Sequence, residues 1–262
     1  MAKEKTSIVR HYGLIGKPLE HSFSPDFFAR KFAREGIHNA LYSLFPLNSI
    51  SDFPQLLQNT PHLCGLNVTI PYKETIIPFL SYISPEAKAA SAVNTIRIKK
   101  EMDGSFFLEG FNTDIPAFSQ VLLPHLHAYH HTALIFGTGG AAKAVAFALS
   151  KLGMDYYFVS RKPSDPKRKI VSYSDLKKEH IASIKLLINT TPVGQFPNVE
   201  DSLPIDFSAI SDLHILFDLI YNPPISVFLQ KGLLAGATTI NGLEMLELQA
   251  EAAWNIWNQK DH

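Results

Sequence analysis

Residues 133–153 read ALIFGTGGAAKAVAFALSKLG. An apolar run, Ala133 to Phe136, passes directly into Gly137-Thr138-Gly139-Gly140-Ala141-Ala142, and apolar residues then recur at helical spacing. This is G-x-G-x-x-[GA] in the context that gives it meaning, a strand turning tightly into a helix. Gly137 can make the turn, Gly139 permits close approach to the backbone, and Ala142 is small enough for the helix to pack. The free N–H groups of the helix start, here Gly140 and Ala141, offer a positive dipole end to a pyrophosphate. Glycine suits any tight strand-to-helix connection, so the dinucleotide reading rests on the flanking strand and helix as much as on the glycines.

The next strand, DYYFVS, bears on the choice of cofactor. In NAD sites an acidic residue about 20 positions onward takes the ribose 2′-OH. Here the strand ends in Ser160-Arg161-Lys162, with Lys167, Arg168 and Lys169 nearby. A 2′-phosphate suits such a loop, and Arg161 can present its planar fork to that phosphate or stack on adenine. NADP is therefore the expected cofactor; the alternative is a solvated basic loop.

Outward from this motif, short branched and aromatic runs alternate with helical patterns. IVRHYGLIG precedes SPDFFARKFAREG, LYSLFPL precedes a helix around SDFPQLLQN, and LCGLNVTI precedes a helical reading of PYKETIIPFLSYI. After residue 132 come TALIFG, the glycine-loop helix, DYYFVS, a helical reading of SYSDLKKEH, KLLINTT and HILFDLI. Strand and helix in turn predict an α/β protein of parallel sheets with helices on both faces. The two series predict two domains, an N-terminal α/β domain over residues 1–113 and a Rossmann-like doubly wound domain over 114–241. The amphipathic pattern in GLEMLELQAEAAWNIWNQ predicts a C-terminal helix, within 242–262, that returns to the first domain.

Composition bounds the function. The 24 basic and 24 acidic side chains cancel, which argues against nucleic acid or an acidic membrane as partner and for a small ligand. The single cysteine, Cys64, cannot form an internal disulfide, and no apolar stretch is long enough for a membrane span, so a cytoplasmic protein is expected. Cys64 itself reads as a small buried hydrophobe, since no activating pattern surrounds it. LHAYHH at 126–131 concentrates histidines, but without a second ligand cluster it reads as a connection before a strand and no metal is expected.

In the first half, two stretches carry polar groups out of keeping with a plain core. In GKPLEHSFSP, Ser24 before Pro25 reads as an N-cap, whereas Ser22 has no capping duty, and the two hydroxyls beside a helix start make a carboxylate site plausible on chemistry. In GLNVTIPYKETI, a lysine, Lys73, follows the end of a strand. By itself it reads more readily as a snorkelling lysine in the first turn of a helix, paired with Glu74 or solvent, than as a catalytic group.

Eight motifs in order, GKPLEHSFSP, NVTIPYK, AVNT, GFNTD, FGTGGAAKA, INTTPVG, DLIYNP and INGLEMLELQA, resemble the shikimate dehydrogenase family over nearly the whole chain. The resemblance implies reversible reduction of 3-dehydroshikimate to shikimate with NADPH, in the route to aromatic amino acids, the first domain binding substrate and the second the cofactor. It implies Lys73 and Asp114 as the catalytic pair, and Ser22, Ser24, Asn67, Thr69, Asn94, Tyr221 and Gln249 as substrate contacts. On the cofactor side it implies Gly137, Thr138, Gly139, Gly140, Ala141, Ser160, Arg161, Lys162, Thr191, Leu219 and Gly242. A monomer or homodimer is expected.

The chemistry of the implied pair is coherent. A ketone oxygen that becomes an alkoxide needs a proton and nearby positive charge, and a lysine ammonium held charged by a carboxylate supplies both. Taken singly, Asp114 reads as a helix cap, Asn67 and Asn94 as turn formers, Gln249 as a solvated helix position and Tyr221 as a half-buried ring. NADP-dependent members commonly carry Asn-Arg-Thr at the second cofactor strand with an arginine three places later; this chain has Ser160-Arg161-Lys162 and then Asp165. The alternatives are therefore a quinate or quinate/shikimate dehydrogenase using NAD, or a sensing module without chemistry.

Overall fold

The computed structural model describes residues 8–20 and 22–259, so the outermost residues of the expected first and last segments lie outside it. By its contacts the chain forms two compact units, Met1–Thr113 with Ala250–His262, and Asp114–Gln249. The division falls inside the last helix, not ahead of it at 241/242.

Unit 1 contains β1 (Arg10–Gly16), α1 (Ser24–Glu35), β2 (Ala40–Pro46), α2 (Phe53–Asn59), β3 (Leu63–Val68), β4 (Tyr82–Ile83), α3 (Pro85–Ala90), β5 (Thr95–Lys100) and β6 (Phe106–Phe111). Its sheet runs β2-β1-β3-β5-β6-β4. β1 pairs in parallel with β2 and β3, but β5 is antiparallel to both β3 and β6, so the sheet is mixed where strand–helix alternation predicts a parallel one. The reason is a hairpin: Thr95–Lys100 and Phe106–Phe111 flank Asp103-Gly104, with Gly104 at φ +87. The expected helix over 71–83 is also replaced, by turns, a 3₁₀ turn at Ile77–Phe79 and the short β4. Pro78 lacks the N–H that would donate to Glu74 O, and its ring would clash with that carbonyl in a continued α-helix.

Unit 2 contains α4 (Asp114–Leu122), β7 (Thr132–Phe136), α5 (Gly140–Lys151), β8 (Asp155–Ser160), β9 (Ile170–Ser172), α6 (Lys178–Ser183), β10 (Leu186–Asn189), β11 (Ile215–Asp218), α7 (Val227–Leu234), β12 (Thr238–Ile240) and the start of α8 (Leu243–Trp257). Its sheet is parallel throughout, in the order β12-β11-β10-β7-β8-β9. That is the doubly wound arrangement, with the direction of winding reversing between β7 and β10. The helical reading of 172–180 is displaced to α6, because Ser172 and Asp175 bond each other and the intervening backbone instead of forming helix: Ser172 Oγ donates to Asp175 Oδ2 (2.8 Å) and accepts from Asp175 N (3.2 Å). No helix among the described residues is long and apolar enough to cross a membrane.

The two faces of the unit 1 sheet follow the two-residue period of its strands. Ile15, Leu66, Val68 and Ile96 face α2 and the 71–83 turns, whereas Tyr12, Leu14 and Tyr42 face α1 and the end of α8. Gly65 lies on this second face, where a Cβ would overlap the Trp257 ring. Trp257 is buried there, stacks on Tyr12 with ring centroids 5.0 Å apart, and donates its indole N–H to Ile96 O (3.0 Å). Lys31, 4% exposed, joins α1 to α8 by bonding Glu35 (2.8 Å) and Glu251 (2.6 Å), which keeps its buried charge paired. Trp257→Ala should therefore lower the stability of unit 1 by about 3–5 kcal/mol, the range for deleting a large buried aromatic. Trp257→Phe, which keeps an aromatic ring but loses the hydrogen bond, should cost clearly less; equal transitions for both variants in urea, followed by far-UV circular dichroism, would refute this anchoring.

Candidate active site

Parallel strands all end at the same edge of their sheet, and in unit 1 the chemistry-bearing residues follow from that. β1 and β3 end at this edge, β5 begins there because it is antiparallel, and β6 ends there in turn. The register Asn67↔Thr95↔Phe111 aligns these points across three strands. Residues distant in sequence, 17–20, 22–24, 67–73, 94–95 and 112–113, thereby leave one edge of the sheet.

At this edge the polar side chains form a bonded network. Asn67, 5% exposed, accepts from the Tyr42 hydroxyl (2.9 Å) through Oδ1 and donates through Nδ2 to Thr95 Oγ1 (3.3 Å) and Asn94 O (3.4 Å). The Asn94 carboxamide is likewise buried; its Oδ1 accepts from Thr113 N (2.8 Å) and its Nδ2 donates to Thr113 Oγ1 (3.0 Å). Neither asparagine is a mere turn former. Tyr42, which no sequence pattern distinguishes from a core aromatic, links this network to Ser24: burial raises its hydroxyl pKa, and a hydrogen bond with the Ser24 side chain partly offsets that.

The two serines exchange the roles expected of them. The N-cap position of α1 is Phe23, without a side-chain cap, and Ser24 is the first helical residue. Ser22 Oγ accepts from Ser24 N (3.3 Å), so the local backbone bond belongs to Ser22, while the buried Ser24 hydroxyl turns to Tyr42. The chain thus enters the helix one residue earlier than expected, with Pro25 at the second helical position.

Thr69 and Lys73 lie in the turns that follow β3. Thr69 N donates to Ile15 O (2.9 Å), which ties the turn to the end of β1, and its methyl fills the space a Gly16 Cβ would take. Lys73 is half-buried, and its carbonyl accepts from Val93 N (2.8 Å). Because this segment is not helical, the reading of Lys73 as a first-turn helix lysine no longer applies. Asp114, 6% exposed, is the first residue of α4 and is assigned to unit 2, as are Tyr221 and Gln249. Gln249 is not a solvated position: it is half-buried on α8, and its amide donates to Leu246 O (2.9 Å).

In unit 2 the loops after β7, β8, β10, β11 and β12 leave the carboxyl edge of the sheet, and the glycine loop stands where the winding reverses. Gly137 has φ +111, and a Cβ there would stand 2.7 Å from Thr190 Oγ1, whose hydroxyl donates to Phe136 O (2.7 Å). Thr138 continues this loop. Gly139 differs: it has extended backbone at the N-cap of α5 without a side-chain cap, and a Cβ on it would meet nothing within 4 Å. The loop is thus closed on the protein side at Gly137 and open at Gly139, beside the uncapped N–H groups of Gly140 and Ala141. Gly242 is a second forced glycine, since a Cβ would overlap the Leu219 carbonyl. Its N–H donates to Ile220 O (2.9 Å), which brings Leu219 and Gly242 together.

After β8, Ser160 Oγ accepts from Lys162 N (3.2 Å) and Arg161 is exposed. Asp165 accepts from Lys167 N (3.1 Å) and caps the 3₁₀ turn Pro166–Arg168. Lys169 bonds Asp155 (3.2 Å), at the opposite end of β8, and lies over the Tyr156 ring. Of the basic cluster, Arg161 and Lys162 stand at the carboxyl edge and Lys169 is directed elsewhere. In 126–131, His130 accepts from His127 N (3.0 Å) and bonds Leu213 O (3.1 Å), while His131 bonds the Thr132 hydroxyl (3.0 Å). Cys64 is half-buried, and burial raises its thiol pKa, in keeping with an inert side chain.

One group in unit 2 escapes sequence reading. Asp218, fully buried at the end of β11, accepts from Asn189 Nδ2 (3.0 Å), Ile220 N (3.1 Å) and Ser226 Oγ (2.5 Å). Desolvation pushes its carboxyl up to about 6 against the opposing pull of those bonds. The DLIYNP motif contains it, but only the fold shows that Asn189, at the end of the neighbouring strand, is its partner. The glycine contrast is directly testable. Gly137→Ala should destabilise unit 2 by about 1–3 kcal/mol through positive φ and overlap, whereas Gly139→Ala should cost no more than about 1 kcal/mol, the loss of a good N-cap residue. Equal urea midpoints for the two variants would contradict this assignment.

Comparison with known proteins agrees with this description. Residues 14–96 match the model of the shikimate dehydrogenase substrate binding domain. The chain is 37% identical over 257 residues to the shikimate dehydrogenase (NADP(+)) of Clostridium beijerinckii, covering 95% of this chain and 92% of that protein. The crystal structure of the shikimate 5-dehydrogenase of Thermus thermophilus in complex with NADP(H) and shikimate superposes with a TM-score of 0.81 at 29% identity, over 95% of this chain and 94% of that one. The quinate dehydrogenase of Corynebacterium glutamicum in complex with NAD gives a TM-score of 0.80 at 25% identity, over 95% of this chain and 94% of that one. With a relative of 37% identity across nearly its full length and the glycine loop at the reversal point of a doubly wound sheet, this chain belongs to the shikimate dehydrogenase family.

Proposed function

We propose that this protein catalyses the reversible NADPH-dependent reduction of 3-dehydroshikimate to shikimate, unit 1 holding the substrate and unit 2 the dinucleotide. The observation that carries the reading is the open face at Gly139 beside an uncapped helix start, at the one point of unit 2 where the sheet reverses its winding. A Cβ would fill that space, as would a phosphate approaching the backbone, so the residues present fit a dinucleotide. Thr138, Gly139, Gly140 and Ala141 would hold the pyrophosphate, Ser160, Arg161 and Lys162 the 2′-phosphate side, and Thr191, Leu219 and Gly242 the remainder of the cofactor.

On the substrate side, the hydroxyls of Ser22 and Ser24 bind the substrate carboxylate, and Asn67, Thr69, Asn94, Tyr221 and Gln249 orient its carboxylate and ring hydroxyls. NADPH, when bound, would supply the hydride for the ketone carbon. Lys73 gives a proton to the carbonyl oxygen as negative charge develops there, and takes it back in the reverse direction. Asp114 is the carboxylate member of the catalytic pair. Asn67 and Asn94 are held by Tyr42, Thr95 and Thr113, so their carboxamides meet the substrate already oriented and little ordering remains to be done on binding. The single cysteine and the balanced charge support a cytoplasmic enzyme, acting as a monomer or homodimer.

Initial rates with shikimate and with quinate, each with NADP and with NAD, test the reading. Shikimate with NADP should be the fastest pair. Quinate with NAD as the fastest pair would instead favour the quinate dehydrogenase alternative, and no turnover with any pair would favour a sensing module. Lys73→Ala should lower kcat by about 10²-fold or more while shikimate binding survives. Near-normal turnover in that variant would remove Lys73 from the mechanism.

A further inference from the structure

Asp218 is a fully buried carboxylate with no cation among its hydrogen-bond donors, an arrangement whose desolvation is offset only by Asn189, Ile220 and Ser226. Its two oxygens have different duties. Oδ2 takes the Ser226 hydroxyl, which also caps α7 by accepting from Leu229 N (3.4 Å). Oδ1 takes Asn189 Nδ2 and Ile220 N. Asn189, fully buried as well, turns its own Oδ1 to Thr191, accepting from both its N–H (3.0 Å) and its hydroxyl (2.7 Å), and its Nδ2 also donates to Val193 O (3.3 Å). Ile220 O in turn accepts from Gly242 N, beside Leu219. One carboxylate oxygen therefore joins the loops that follow β10, β11 and β12, the three that bear Thr191, Leu219 and Gly242.

We propose that Asp218 is a positioning residue for NADPH binding, which orients Thr191 through Asn189 and the Leu219–Ile220 turn through Ile220 N. The proposal rests on the reading of those three loops as the cofactor side. Two physical features carry it. The donors on Oδ1 come from two elements, the side chain of Asn189 at the end of β10 and the backbone of Ile220 after β11; the backbone bond from Leu219 N to Asn189 O (2.9 Å) ties the same two elements but does not orient the Asn189 side chain that holds Thr191. Asp218 is also fully buried with neutral donors on its carboxylate, a desolvation cost that an apolar packing residue would avoid. An asparagine can reproduce the geometry: its Oδ1 accepts from Asn189 and Ile220 as before, while its Nδ2 faces a Ser226 hydroxyl that can accept.

The test is the NADPH dissociation constant of the full chain, measured by quenching of tryptophan fluorescence, together with KM for shikimate and the urea midpoint. Asp218→Ala should raise the NADPH dissociation constant by about tenfold, with KM for shikimate changed less than about twofold; Asp218→Asn should restore NADPH affinity to within about threefold of wild type. Ser226→Ala, which removes only the Oδ2 bond, should lower the urea midpoint and leave NADPH affinity near wild type. A merely structural role would instead reduce the active fraction in Asp218→Ala and Ser226→Ala alike, with unchanged dissociation constants, and that result would overturn the proposal. If Asp218→Ala does not fold, Asn189→Ser, which shortens the relay to Thr191, replaces it with the same expected rise, and an unchanged constant there overturns the proposal equally. A wild type that binds NADPH but oxidises no shikimate would overturn the substrate reading alone, and the ratio of variant to wild-type constants would still judge Asp218.

Discussion

The tight turn at Gly137 is the constraint on which unit 2 depends. The chain must leave β7 at φ +111 with Thr190 packed against it, leaving no room for a side chain, so the first loop is fixed to the end of β10. That contact joins the two halves of the doubly wound sheet at the point where their loops diverge. The space left outside Gly139 follows from it: the backbone is held from below and presents its N–H groups outward. Asn189 and Asp218 extend the same edge along β10 and β11, and Gly242 completes it by fitting against Leu219.

Unit 1 reaches a comparable result from a mixed sheet. The antiparallel β5 returns Asn94 and Thr95 to the edge where β3 ends, and β6 returns Asn112 and Thr113. Buried polar side chains at that edge are almost wholly bonded to one another, which sets their orientation without requiring charge. The cost of burying such groups is limited because each acceptor meets a donor. The face of this sheet that bears Tyr42 is closed by Trp254 and Trp257 of α8 and by α1, with the buried charge of Lys31 paired.

Unit 2 was the more legible half in sequence, because consecutive parallel strands are apolar and short and the glycine turn has a fixed position between strand and helix. Unit 1 was read less completely for identifiable reasons. The β5–β6 hairpin carries Lys99, Lys100 and Phe107 in an alternating pattern that needs the Asp103-Gly104 turn to be recognised. Residues 71–83 contain enough apolar residues for a helix, yet the prolines decide against one. The sequence favours Ser24 as the helix cap, and only the packing of Tyr42 reveals that its hydroxyl is engaged in the interior instead. Asp218 and Asn189 lie on different strands, so their bond depends on the sheet order and has no local signature.

Arg161 is where this chain departs least from the NADP pattern and Asp165 where it departs most: the first is exposed at the carboxyl edge, and the second is engaged in capping a 3₁₀ turn. On the function proposed here, the choice between cofactors falls to the guanidinium and to Lys162 beside it. The most direct measurement is the pair of dissociation constants for NADPH and NADH, in the wild type and in Arg161→Ala, at fixed ionic strength and again at higher salt to control for long-range attraction. Arg161→Ala should weaken NADPH by roughly ten- to a hundredfold, the value of one or more charge-assisted hydrogen bonds, and leave NADH almost unchanged. An unchanged ratio of the two constants would contradict it.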